Sequence, residues 1–462
     1  MKTLLSAIVL VSALYIPSHL FAQETTSFIS DVVDISEEHL SPDFWRKQTK
    51  AGARQIWSMD KINSVNQSNL SQIAEMAQVF EIPSQLTRSE LLAEIAFISR
   101  QLEQDPTFND DTPVTQVFYD ELDQNLNREA IKELNPVSYA LVVRRSNLRT
   151  FPTAVPIFRA GQNKDIDRYQ ESVVFPADAV AVLHKSKDGE WVLVRVYNYL
   201  AWMREADLAY GDKETIRAYK SATEYLVITG DKVTTVFNPE VADVSELQLE
   251  MGTRLPLELP EENRHSLYGQ NPYTSHVIKL PVRNDDGNLS FRYASIARNK
   301  DVHLGYLTYN TDNIITQAFK FLGERYGWGH RFNGRDCSGF VSEVYRSMGI
   351  LLPRNSITQN SSTFGQNIRF SEETSMEERL EAVANLDVGD LIYIPGHVMM
   401  YIGSAGGKPY IIHDVKGLRY FQNNGELYVG TLNGVSVTPL LALQVSSEKT
   451  YVEAISSIKK IR

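Results

Sequence analysis

The stretch Arg335-Asp336-Cys337-Ser338-Gly339-Phe340 decides how this chain is read, because Cys337 is the only cysteine among 462 residues. A lone cysteine cannot close an intramolecular disulfide, so it is either a buried inert thiol or a nucleophile. The residues that follow favour the nucleophile. Phe340, Val341, Val344, Tyr345 and Met348 recur at helical spacing, Gly349 offers a stop, and Pro353 lies just beyond. With Asp336 as N-cap, this spacing predicts that Cys337 opens the first turn of a largely buried helix. Unpaired N–H groups and the positive end of the helix dipole there are expected to favour a thiolate. An inert thiol would sit more naturally among the apolar positions further along.

Two histidines strengthen the reading. Leu391-Ile392-Tyr393-Ile394 is a short apolar run introduced by the turn-like Asp387-Val388-Gly389-Asp390. A second strand is predicted from His397 to Gly403, and a third over Tyr410 to His413 after the turn Ser404-Ala405-Gly406-Gly407. Such a hairpin can set His397 and His413 side by side on one face. A thiol needs a base for its proton, and that imidazole needs a partner that fixes its tautomer. One histidine alone is more often structural; the three residues together form a catalytic constellation.

The order Asp336-Cys337-Ser338-Gly339-Phe340, Gly396-His397-Val398, Ile412-His413 resembles the NlpC/P60 cysteine peptidases of the bacterial cell wall. Tyr326-Gly327-Trp328-Gly329, Leu352-Pro353-Arg354-Asn355-Ser356 and Val388-Gly389-Asp390-Leu391 are similar to further motifs of that family. The resemblance covers roughly the last third of the chain. It departs at His330, where a second glycine is common, and at Asn355, where an aspartate is common; His330 is given no catalytic role. The resemblance implies a papain-like α+β catalytic domain with Cys337 as nucleophile, His397 as general base and acid, and His413 orienting His397. No metal or cofactor is expected, since the histidines are scattered along the sequence and the only thiol is committed as nucleophile. Tyr326, Trp328, Asp336, Ser338 and Ser356 match positions near the substrate, Asp336 serving also as the N-cap. The bond implied is the amide between D-γ-glutamyl and a diamino acid in peptidoglycan stem peptides or muropeptides.

Met1-Lys2, the apolar run from Leu4 to Leu14 and Leu20-Phe21-Ala22 read as an export signal over residues 1–22. The run is too short to span a membrane comfortably, and no cysteine near the cut offers a lipid anchor. An exported protein, periplasmic or extracellular, is expected to act as a monomer. The net charge of −11, with no basic cluster, excludes a nucleic-acid partner and simple adhesion to anionic wall polymers.

The length suggests several domains. Residues 23–135 read as a mainly helical arm that clips the other domains together, with helical spacing over Leu70–Ala77 and Leu91–Ile98. Residues 136–214 carry short strands split by Asp-Gly turns, and resemble the bacterial SH3-like barrel that precedes the catalytic domain in a subgroup of these peptidases. A second, divergent SH3-like barrel is read over 215–308 and the peptidase domain over 309–462. In the resembling subgroup the first barrel closes one end of the groove and restricts substrate to peptides with a free N-terminal L-alanine. Tyr199 is the candidate contact from that wall, and Glu171 is a candidate partner for the free ammonium. Two other functions fit a chain of this layout: a catalytically inactive wall-binding protein, and an acyltransferase or amidase on the same fold. The intact cysteine and two histidines favour the peptidase.

Overall fold

In this computed structural model, which describes residues 28–49 and 52–462, the described residues up to 136 supply helices and little sheet. The export signal expected over 1–22 lies outside the described residues. Ser58 accepts the Lys61 N–H and starts a helix over Met59–Gln72. Thr87 and Glu90 cap each other reciprocally at the start of Arg88–Ile98. The helix expected over Leu70–Ala77 is displaced: only Leu70–Gln72 are helical, because the chain turns extended at Ile73. The arm divides its apolar residues. Leu91, Ile95 and Ile98 join the core of the β domains, while Trp45 and Ile62 join that of the C-terminal domain.

Seven strands follow: β1 (Ser138–Val142), β2 (Ser146–Arg149), β3 (Gln170–Val174), β4 (Ala179–Lys185), β5 (Trp191–Val196), β6 (Tyr199–Arg204) and β7 (Leu208–Gly211). They pair antiparallel in the order β7-β1-β4-β5-β6-β2-β3. Val180, Val192, Val194 and Trp202 are fully buried inside. A helix over Lys213–Lys220 then leads into a second β region of three small sheets. Its longest hairpin pairs Ser275–Arg283 with Leu289–Ala297, as the alternation about Asp285-Asp286-Gly287-Asn288 predicts.

The C-terminal domain sets a helix over Cys337–Arg346 against an antiparallel sheet. The sheet holds β8 (Gln366–Arg369), β9 (Leu391–Ile394), β10 (His397–Ala405), β11 (Lys408–Phe421), β12 (Leu427–Pro439) and β13 (Ser457–Lys460), in the order β8-β13-β9-β10-β11-β12. Gly406 and Gly407, both at positive φ, make the two-residue turn between β10 and β11. Phe340, Val341, Val344 and Tyr345 are completely buried between helix and sheet. At about 25 cal/mol per Å² this burial is what holds the helix in place, and with it the position of Cys337.

Candidate active site

Asp336 accepts the Gly339 N–H at 2.9 Å and, with Arg354, fixes the start of the Cys337 helix. Arg354 grips the carboxylate with two parallel bonds, Nη1 to Oδ1 at 3.0 Å and Nη2 to Oδ2 at 2.8 Å. Ser338 Oγ and the Gly329 N–H supply two more donors. Burial opposes ionisation of Asp336, but Arg354 holds its carboxyl well below the usual carboxylate range. With both oxygens engaged by the protein, Asp336 here is a cap. Ser338 is buried in the same cluster and accepts from Arg354 Nη1 at 3.0 Å. No protein acceptor engages the N–H groups of Cys337 and Ser338 among the described residues. They are the free donors of the helix end.

Cys337 lies at the C-terminal edge of this cap and is 6 % exposed. The Val398 N–H, next to His397, points at its sulfur and favours the thiolate. That contribution is outweighed. Burial first, and the Asp336 charge second, push the thiol up to about 12. The thiolate expected from the helix position is therefore not the resting species, because desolvation exceeds what the helix end contributes.

His397 opens β10 and keeps partial exposure; His413, on β11, is 1 % exposed. Their rings meet at His397 Nε2 to His413 Nδ1, 2.9 Å apart, and His413 Nε2 lies 3.0 Å from Thr438 Oγ1. Burial draws His397 down to about 4 and His413 well below its ordinary value. Both rings are neutral at pH 7, and the contacts accept either proton order. In the order that leaves a base, His397 donates through Nε2–H to His413 Nδ1, His413 donates through Nε2–H to Thr438, and His397 Nδ1 is free. The side-by-side histidines were legible in the sequence; Thr438 was not. It reaches His413 through the β11–β12 register, in which Ile411 faces Thr438.

His330 is the other residue sequence reasoning passed over. It is buried, and its Nδ1 accepts from Arg354 Nη2 at 2.9 Å while its Nε2 meets Glu343 Oε1 at 2.9 Å. Burial and the neighbouring Arg354 draw it down to about 4. A neutral ring that accepts at Nδ1 and donates at Nε2 fits both partners. Gly339 makes the room, since a Cβ there would lie 2.4 Å from His330 Cε1. The departure at His330 is thus a buried support for Arg354.

The remaining expected residues surround this centre. Tyr326 is buried, and burial together with Cys337 and Asp336 pushes its phenol well above the ordinary value. Trp328 is half-buried with the Arg168 guanidinium 5.2 Å over its ring. Ser356 begins the short helix Ser356–Ser361. Tyr199 donates to Glu171 Oε2 and lies beside Asn355. The β1–β7 domain reaches the site through further bonds, from Arg354 Nε to Ser172 Oγ at 2.6 Å and from Gln170 Nε2 to the Gly329 carbonyl at 2.9 Å.

Comparison with known proteins agrees with this geometry. The NlpC/P60 family matches residues 323–435, which span Tyr326 through His413. The chain carries an NlpC/P60 domain. An SH3 domain of the SH3b1 type matches residues 156–204, within β1–β7. A γ-D-glutamyl-L-lysine dipeptidyl-peptidase of Bacillus cereus is 29% identical over 243 residues, covering 47% of this chain and 61% of the relative. This chain therefore spans less than two thirds of that relative's length. A bifunctional muramidase/DL-endopeptidase of Bacillus subtilis is 26% identical over 275 residues, covering 56% of this chain and 67% of the relative. The solved structure of an NlpC/P60 endopeptidase from Photobacterium damselae subsp. piscicida superposes with a TM-score of 0.73 at 18% identity. It covers 94% of this chain and 98% of that one, so the likeness of fold extends well beyond the NlpC/P60 domain.

Proposed function

We propose that this chain is an exported cysteine peptidase that cleaves the D-γ-glutamyl–diamino acid bond of peptidoglycan stem peptides, with Cys337, His397 and His413 as its catalytic residues. The observation that carries the reading is the hydrogen-bonded row His397, His413, Thr438, set beside a thiol at a helix start. His397 Nδ1 takes the thiol proton as the sulfur attacks the amide carbonyl. The N–H of Cys337 lies where the oxyanion develops. Protonated His397 then gives its proton to the departing amine, and water, deprotonated by the same ring, clears the thioester. No helix of the described residues is long and apolar enough to cross a membrane.

The SH3b domain supports a restriction to free peptides. Tyr199 and Glu171 stand on β6 and β3, beside the Arg354–Asn355 segment, and their oxygens suit an ammonium. A substrate whose N-terminal L-alanine is free would end against them. The test is mass spectrometry of L-Ala-γ-D-Glu-diaminopimelate peptides, free and glycan-linked, with the wild type and Cys337→Ala. Cysteine-dependent release of L-Ala-D-Glu from the free peptide alone is the expected result. Cleavage of the linked form as well would remove the gate. No cleavage by folded protein with a titratable thiol would leave a wall-binding protein.

A further inference from the structure

The Cys337 helix has a second side. At about 100° per residue, Gly339, Ser342, Glu343 and Arg346 fall roughly 200°, 140°, 240° and 180° around the axis from Cys337. All four line a cavity of about 480 Å³. The cavity therefore lies behind the helix, away from the thiol, and is not the substrate groove. Its other walls come from every part of the chain: Phe80 of the arm, Phe175 and Tyr197 of the SH3b domain, and Arg254 of the second β region. The mouth is marked by exposed Glu81 and Ser221, the floor by buried His330 and Arg354. Its volume lies within the ~300–1,000 Å³ usual for small-molecule sites.

The charge balance inside is unusual for an acidic protein. Arg217, Lys220, Arg254, Arg346 and Arg354 line the chamber against Glu81, Asp178 and Glu343. The two buried carboxylates are already engaged: Asp178 by Arg346, and Glu343 by Arg335 and His330. Arg354 is neutralised by Asp336. Lys220 donates to the Ala177 carbonyl at 2.9 Å, and Arg254 donates to the carbonyls of Lys220 and Ala222 and lies 3.9 Å over the Tyr225 ring. Neither has a carboxylate in salt-bridge contact among the described residues. At the mouth, Arg217 is already compensated, 3.5 Å from Glu81 and 3.8 Å from Glu214. Burial draws the Lys220 ammonium down to about 8, against the favourable pull of Asp178. Both Lys220 and Arg254 are half-buried at the cavity wall, where cations without counter-charges draw anions into a cleft. A chain with 57 acidic residues had ample means to neutralise them internally.

We propose that this chamber binds a small dicarboxylate, with Lys220 and Arg254 each taking one carboxylate and the aromatic walls holding the chain between them. The site is separate from the chemistry at Cys337 and does not depend on the peptidase reading. The test is isothermal titration of the whole protein with glutarate at neutral pH and low salt, with butyrate as the single-carboxylate control. Glutarate is expected to bind saturably with one site, about tenfold or more tighter than butyrate. Lys220→Gln and Arg254→Gln are each expected to weaken it by about tenfold or more, and Lys220→Arg to retain it. Absence of saturable glutarate binding to the wild type overturns the proposal, as does unchanged affinity in both folded Gln variants. If those variants do not fold, a crystal of the wild type soaked in glutarate decides. Density between Lys220 and Arg254 supports the site; density only beside Cys337, or none, overturns it.

Discussion

Cys337 and His397 are both neutral at rest, and this shapes how the site must work. Burial pushes the thiol up to about 12 and draws the imidazole down to about 4, so the neutral pair is the resting form at pH 7. The proton is therefore moved during attack, as in a serine hydrolase, rather than beforehand. Alkylation by iodoacetamide separates the two cases. Since the thiolate is the reactive form, the rate at Cys337 is expected to rise about tenfold per pH unit from pH 6 to 9, without a plateau. A rate already level at neutral pH would show a preformed thiolate–imidazolium pair. With His397 as the proposed general base, cleavage needs its neutral form, so kcat/KM is expected to hold across neutral pH and fall only as pH drops through about 4.

The loop from Trp328 to Asn333 shows why part of the site was hidden in the sequence. His330, Phe332 and Asn333 all hold positive φ, a conformation that bulky residues adopt only when the surroundings impose it. Here the imposing contacts are remote: the Arg145 side chain donates to the His330 carbonyl, and Gln170 donates to that of Gly329. The Cys337 cap and the β10–β11 hairpin were legible because each is written within a few consecutive residues. His330 and Thr438 act through partners 24 and 25 residues away, which no local pattern announces. The role of His330 is testable by linkage. Its folded value, about 4, lies below the ordinary 6.5, so the unfolded chain binds the extra proton between those values. Its neutral form contributes fully above pH 6.5, and stability is lost as pH falls towards 4. His330→Gln keeps an acceptor for Arg354 and a donor for Glu343 but cannot be protonated. Its stability relative to wild type, measured by urea denaturation, is expected to improve by about 3 kcal/mol between pH 7 and pH 4. A constant difference across that range would mean that His330 is not held neutral.

The arm contributes to two hydrophobic cores. It lends Leu91, Ile95 and Ile98 to the core shared by both β regions, and Trp45, Ile62 and Met76 to the core beneath Cys337. Trp45 is completely buried, donates its Nε1–H to the His39 carbonyl at 2.9 Å, and packs 5.2 Å from the ring of Tyr410 on β11. That strand also carries His413, so a residue almost three hundred positions before Cys337 helps hold the catalytic sheet. The expectation of a clip rested on an absence of chemistry in the arm and on the resemblance, and it is a claim about stability that a substitution in the arm can test. Trp45→Ala should destabilise the protein by about 3–5 kcal/mol, the usual cost of emptying a tryptophan site. Because the arm joins both cores, the loss is expected as a lower midpoint of one cooperative transition, with peptidase activity and β-domain fluorescence lost together. Two separated transitions, with the β domains melting as in the wild type, would show that the arm merely lies against its neighbours. In that case the groove wall carrying Tyr199 would be held only by polar contacts such as Arg354 to Ser172. Contacts of that kind between folded domains permit relative motion, and the gate would then open without unfolding.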